Sequence, residues 1–127
     1  MGRFFAETGL PELALTSPAA RARETLALAL EAAGASTPVH EREALYSGGV
    51  DGLLTELGSL GASVALVLVV GHEPTWSHAI ALMTGGGAVR MPTGAAARID
   101  FDDVSWSQLR PHAGVLAWLV TPRLIAP

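Results

Sequence analysis

Apolar positions along this chain change period several times, and each change marks an element. Seven consecutive apolar residues, four of them valine, run from Val64 to Val70. Gly71 and His72 follow at once. A continuous β-branched run bounded by Gly predicts a strand buried on both faces, as in the middle of a parallel sheet. A helical pattern then runs from Pro74 to Thr84, with Trp76, Ile80 and Met83 sharing a core-facing side. Upstream, Glu12 to Thr16 reads as a short strand. Ser17 is placed to cap the next helix, Pro18 to take its first position and Gly34 to close it. Its apolar stripe is Ala19, Ala22, Leu26, Ala29 and Ala33, along a helix roughly 25 Å long at about 1.5 Å per residue.

The remaining pieces are weaker. Met1 to Gly9 reads as the end of a helix, with Phe4, Phe5 and Thr8 at helical spacing and Gly9 as its stop. Pro38 to Tyr46 alternates like a strand or extended arm. Ser47-Gly48-Gly49 is a turn. Val50 to Leu60 is a helix with Val50, Leu53, Leu54, Leu57 and Leu60 apolar, ended by Gly61. The glycines at 85–87 follow a helix rather than a strand, so they are a loop and not a phosphate-binding glycine motif. Met91-Pro92-Thr93-Gly94 is a turn. Ala95 to Phe101 alternates like a half-exposed strand, and Val115 to Val120 is a last buried strand before a tail. Alternating helices and apolar strands predict an α/β fold, a three-layer α/β/α sandwich with a mostly parallel sheet, in one domain spanning residues 1–127.

Composition narrows the function classes. Half of the 127 residues are apolar, which argues against disorder. The net charge is −4, and all eight cations are Arg. An acidic domain without a basic stripe is a poor nucleic-acid binder, so any anion site must be local. There is no Cys, which removes disulfides, thiolate chemistry and Cys-ligated metals. The longest apolar run falls far short of the roughly 20 residues of a membrane helix, and no signal-peptide pattern opens the chain. The expectation is a cytoplasmic protein that needs no membrane, metal or cofactor.

The chemistry collects at two strand-to-helix junctions. Both Ser17 and Gly71-His72 should lie at carboxyl ends of strands, where open α/β sheets bind ligands. Helix N-termini there favour an anion. Arg21, in the first turn of its helix, opposes the dipole, and a bound anion in front of it would explain its place. The bland alternative for such an Arg is a solvated surface residue, and Arg23 beside Glu24 keeps that reading. An Arg fork and a His converging on one crevice suit a phosphoryl group. His40, His78 and His112 read as surface histidines. Asp102 and Asp103 read as a solvated turn, without the third ligand a metal site would need.

Three pieces, LTSPAARARET (Leu15 to Thr25), VVGHEP (Val69 to Pro74) and MPTG (Met91 to Gly94), together and in this order resemble the histidine phosphatase superfamily, in particular its small SixA-type phosphohistidine phosphatases. The resemblance implies a phosphoglycerate mutase-like fold. It implies that Arg21 and His72 hold the phosphate and stabilise its transition state, with Ser17 among the substrate-binding residues. The partner would be a phosphorylated protein or a small phosphate ester. In the family, the histidine of an Arg-His-Gly or Arg-His-Ala motif at the end of the first strand attacks phosphorus.

No Arg-His pair occurs in these 127 residues. The family's first central strand, expected beside the Val64 strand, is missing with it. Glu43 and Asp51 are the nearest acids in the loop where relatives keep a carboxylate, and neither is assigned a role. Three readings follow. The gene encodes a phosphatase whose nucleophile lies upstream, and the chain as given is inactive. Alternatively, the chain is a non-catalytic phosphate-binding module. Or it is a decayed product that self-associates through an open sheet edge. At about 1–3 kcal/mol per unsatisfied buried group, such an edge would rival a domain stability of about 5–15 kcal/mol.

Overall fold

The computed structural model describes residues 9–102 and 104–121. The helix end predicted over residues 1–8, Asp103 and the tail from residue 122 lie outside the described residues. Within them a parallel sheet forms around β1 (Leu13–Thr16). One neighbour is β2 (Val39–Glu41), the other β3 (Val67–Val70), giving the order β2-β1-β3. The register pairs Leu13 with Val67 and Thr16 with Val70, so β1 and β3 end level. A second sheet is the antiparallel pair of β4 (Ala96–Asp100) and β5 (Val115–Val120).

Helices cover both faces of the parallel sheet, and strand alternation decides which residues meet them. The helix α1 (Ala20–Ala33) lies on one face, where Leu26 and Leu30 pack with Ala14 of β1 and with Leu68 and Val70 of β3. The opposite face carries α2 (Ala44–Ser47), α3 (Gly49–Gly58) and α4 (Thr75–Thr84). There Leu15 packs with Leu45, Leu53, Leu57, Ala79 and Met83, backed by Leu13, Val67 and Val69. The layers are therefore α/β/α, as the periodicity of the sequence predicts. Trp76, Ile80 and Met83 do share the core-facing side of α4: Ile80 and Met83 are buried and Trp76 packs against the same cluster.

Four expectations are corrected. First, α1 begins at Ala20, with Ala19 extended (φ −63°, ψ 138°) at the N-cap position. Ser17 is thus not the N-cap and Pro18 not the first helical residue, although the Ser17 hydroxyl still accepts a hydrogen bond from the Ala19 N–H at 3.2 Å. Second, the buried stripe of α1 is Ala22, Leu26 and Leu30, since Leu30 stands four residues after Leu26 and so shares its face. Third, the alternating segment 38–46 is strand only over Val39–Glu41. The following residues turn into α2, which drives Leu45 into the core at 5% exposure. Fourth, β3 is shorter than the apolar run, and all four of its residues are half-buried rather than buried on both faces. Its second edge pairs with no strand among the described residues.

That edge of β3 borders a cavity of about 1420 Å³. β3 lines one side of it and β4 the other. A smaller cavity of about 110 Å³ lies between the same two strands. Among the described residues, the facing edges of β3 and β4 are thus both without a strand partner and border a common gap. No described helix is long and apolar enough to cross a membrane.

Candidate functional site

The level ends of β1 and β3 bring two distant loops together. Just beyond the paired Thr16 and Val70, the Ser17 N–H donates to the Val70 carbonyl at 3.0 Å. The chain then leaves each strand at the same edge of the sheet, Ser17 toward α1 and Gly71-His72 toward α4. Ser17 Oγ and His72 Nε2 meet at 2.8 Å. Ser17 is fully buried and His72 half-buried. The predicted convergence of two junctions at the carboxyl edge is thus present as a direct contact.

Local packing holds His72 in that place. The Tyr46 ring stands edge-to-face against the imidazole, with centroids 5.4 Å apart and an 88° interplanar angle. Gly71 is required by close approach: a Cβ there would lie 2.7 Å from Trp76 Cζ2 and 3.3 Å from the Leu45 carbonyl oxygen. The junction can therefore sit tight against both α2 and α4 only without a side chain at this position.

Arg21 is the second residue of α1, exposed and without an ion pair among the described residues. Arg23, by contrast, pairs with Glu41 of β2 at 3.3 Å on the surface, a contact of small energetic weight. Arg21, His72 and the turn at residues 91–94 all line the large cavity. The three sequence pieces that carry the resemblance thus face one space. His40, His78 and His112 are exposed, and none lines that cavity. Glu43 and Asp51 are exposed and do not line it either.

One part of the expected anion site is already occupied. The start of α4 does not offer its third N–H to a ligand, because the Glu73 carboxylate accepts it: Ser77 N donates to Oε1 and Ser77 Oγ to Oε2, both at 2.8 Å. The dipole at this end is satisfied from within the chain. The first turn of α1, where Arg21 sits, contains no acidic residue. Among the described groups that line the cavity, Arg21 has no ion pair, whereas Arg98 is paired with Asp100 at 2.7 Å. No group of three His, Cys, Asp or Glu among the described residues is arranged to hold a metal.

Two residues escape sequence reasoning. Tyr46 gives no signal, since its contact with His72 depends on α2 replacing a predicted strand. Glu73 does carry one, in its spacing to Ser77 at a helix start.

Comparison with known proteins bears on this geometry. No family model matches the chain. It is 31% identical over 121 residues to an uncharacterized protein of Mycobacterium leprae, covering 88% of this chain and 72% of that protein. An uncharacterized protein of Mycobacterium tuberculosis is likewise 31% identical, over 119 residues, with 86% of this chain and 72% of that protein covered. Among solved structures, the chain superposes on a candidate SixA phosphohistidine phosphatase of Nakamurella multipartitia with a TM-score of 0.78 and 26% identity, covering 95% of this chain and 77% of that one. A protein histidine phosphatase SixA solved with tungstate also superposes with a TM-score of 0.78, at 24% identity over 98% and 80% of the two chains.

Proposed function

Because this chain belongs to the histidine phosphatase superfamily and has its SixA-type fold, we propose that its protein is a cytoplasmic phosphatase. It removes phosphate from phosphohistidine or another phosphomonoester, on a protein or a small ester, and works as a single domain. One observation carries this reading: Arg21, His72 and the turn at 91–94 all line one cavity, which runs along the flank of β3 and reaches Gly71-His72 at that strand's carboxyl end. There Arg21 and His72 hold the non-bridging phosphate oxygens and neutralise the charge that develops on them.

The reaction has two displacements. A histidine nitrogen attacks phosphorus, the bond from phosphorus to the substrate's nitrogen or oxygen breaks, and the leaving group takes a proton. Water then attacks the phosphohistidine, releasing orthophosphate and the free imidazole. Arg21 and His72 serve both steps. Among the described residues that line the cavity His72 is the one histidine, and it holds phosphate rather than attacking it. The gap between the unpaired edges of β3 and β4 supports a further strand seated there, with the nucleophile at its carboxyl end beside His72. On this reading the 127 residues alone bind phosphate without turning it over, and associate through the open edges until that strand is supplied.

The test is the coding sequence upstream of Met1. It should encode, in frame, an apolar strand followed by Arg-His. A protein extended to include it should hydrolyse phosphohistidine, and substitution of that histidine by Ala should abolish turnover. An upstream stop codon with no such strand contradicts the reading. It would leave the alternative of a phosphate-binding module without catalysis, which the lack of any Arg-His pair in the chain favours.

A further inference from the structure

Ser17 is completely buried, yet every polar atom it carries is engaged. Its N–H donates to the Val70 carbonyl at 3.0 Å. Its own carbonyl accepts from the Thr16 hydroxyl at 3.0 Å. Its Oγ accepts the Ala19 N–H at 3.2 Å and lies 2.8 Å from His72 Nε2. A hydroxyl has one proton and two lone pairs. Ala19 takes one lone pair. The proton then needs an acceptor in a place closed to water, and His72 Nε2 is the acceptor within reach.

We infer that Ser17 is a positioning residue that commits His72 to the Nδ1–H tautomer, so that the imidazole always presents an N–H to phosphate. In neutral His72 the Ser17 O–H donates to the Nε2 lone pair, which leaves the proton on Nδ1. In protonated His72 the Nε2–H donates to the second lone pair of Ser17, and Nδ1 still carries its proton. Of the two neutral tautomers, only Nε2–H leaves the Ser17 proton without an acceptor, a buried unpaired donor that protonated His72 shares. Nδ1 has no partner among the described residues, and His72 lines the cavity. The right-angled Tyr46 ring hinders the rotation that would exchange the two nitrogens. A phosphate holder needs a donor rather than a lone pair, and this arrangement supplies one in both charge states. Ser17 thus acts on phosphate through His72 and not by touching it.

This inference rests on the phosphate-pocket reading, but its test does not. Long-range proton–nitrogen NMR of the uniformly labelled 127-residue chain, without phosphate, reports the His72 tautomer, with His72→Gln identifying the signals. The expected pattern is Nδ1–H. An Nε2–H pattern in the wild-type chain overturns the inference, whether or not inorganic phosphate binds. In Ser17→Ala the signals should move to the Nε2–H pattern or to a mixture, and Ser17→Thr should keep Nδ1–H. Inorganic phosphate affinity should fall about tenfold in Ser17→Ala and recover in Ser17→Thr. An unchanged tautomer in folded Ser17→Ala also overturns the inference. An Nδ1–H tautomer with no phosphate binding would instead count against the proposed function alone.

Discussion

Ser17 and His72 stand 55 residues apart in the chain and share a 2.8 Å hydrogen bond. The contact follows from register. β1 and β3 run parallel and end level, so the residues that leave the two strands emerge side by side. A shift of two residues in either strand would separate them by about 7 Å at roughly 3.3 Å per residue. The apolar faces that fix this register are Leu13 and Leu15 toward one helix layer and Ala14 toward the other. Core packing and site geometry are therefore the same constraint.

Gly71→Ala should disturb the site more than the fold. The added methyl would meet Trp76 Cζ2 at 2.7 Å and the Leu45 carbonyl at 3.3 Å. Trp76 has to move, and with it the junction that aims His72. The expected cost is about 1–3 kcal/mol of stability. Trp fluorescence should report the displacement, and titration with inorganic phosphate should show weakened binding.

Gly52→Ala should be among the most damaging substitutions outside the site. Its Cβ would stand 2.5 Å from the Ala44 carbonyl oxygen, a backbone atom in α2 that cannot swing aside. A loss of about 2 kcal/mol or more is expected in urea denaturation. Gly58→Ala is the control. Its nearest non-local neighbour is the Trp106 carbonyl oxygen at 3.9 Å, and gaining a helix-favouring residue should leave stability unchanged or slightly raised.

Two leucines of α1 should separate cleanly. Leu26 is 2% exposed in the cluster between α1 and the sheet, whereas Leu28 is 66% exposed. Leu26→Ala should cost about 2–5 kcal/mol. Leu28→Ala should stay within about 0.5 kcal/mol of the parent. Thermal and denaturant melts of both variants check this.

Glu73→Ala tests which group caps α4. Removing the carboxylate takes the acceptor from Ser77 N and Ser77 Oγ. About 1 kcal/mol of stability should be lost. Inorganic phosphate affinity should not fall, since Glu73 opposes an anion in the cavity rather than holding it. A Glu73→Ala variant that melts like the parent but loses phosphate binding would reverse this assignment.

Much of the layer order was legible because burial imposes its period directly on the sequence. The stripes of α3 and α4 and the short apolar strands could be placed within a few residues. The segment at 38–46 misled because Val39, Glu41 and Glu43 alternate with His40, Arg42 and Ala44 as a strand would. What overrides this is Leu45, whose burial beside Leu53 and Leu57 requires a helical turn. β3 misled differently. A strand with one free edge and a strand in mid-sheet carry the same apolar run, so the sequence does not distinguish them. At the site, the junction residues Ser17, Gly71 and His72 were legible from strand-to-helix punctuation. The Tyr46 contact and the precise partner of each His72 nitrogen were not, because they depend on how separate elements dock.

The most direct measurement of the central claim is isothermal titration of inorganic phosphate into the 127-residue chain, alongside an aryl phosphate hydrolysis assay on the same sample. Binding should be saturable and weakened at least tenfold by each of Arg21→Ala and His72→Ala, with no hydrolysis above the buffer rate. Hydrolysis by this chain, or phosphate binding indifferent to both substitutions, would contradict that claim.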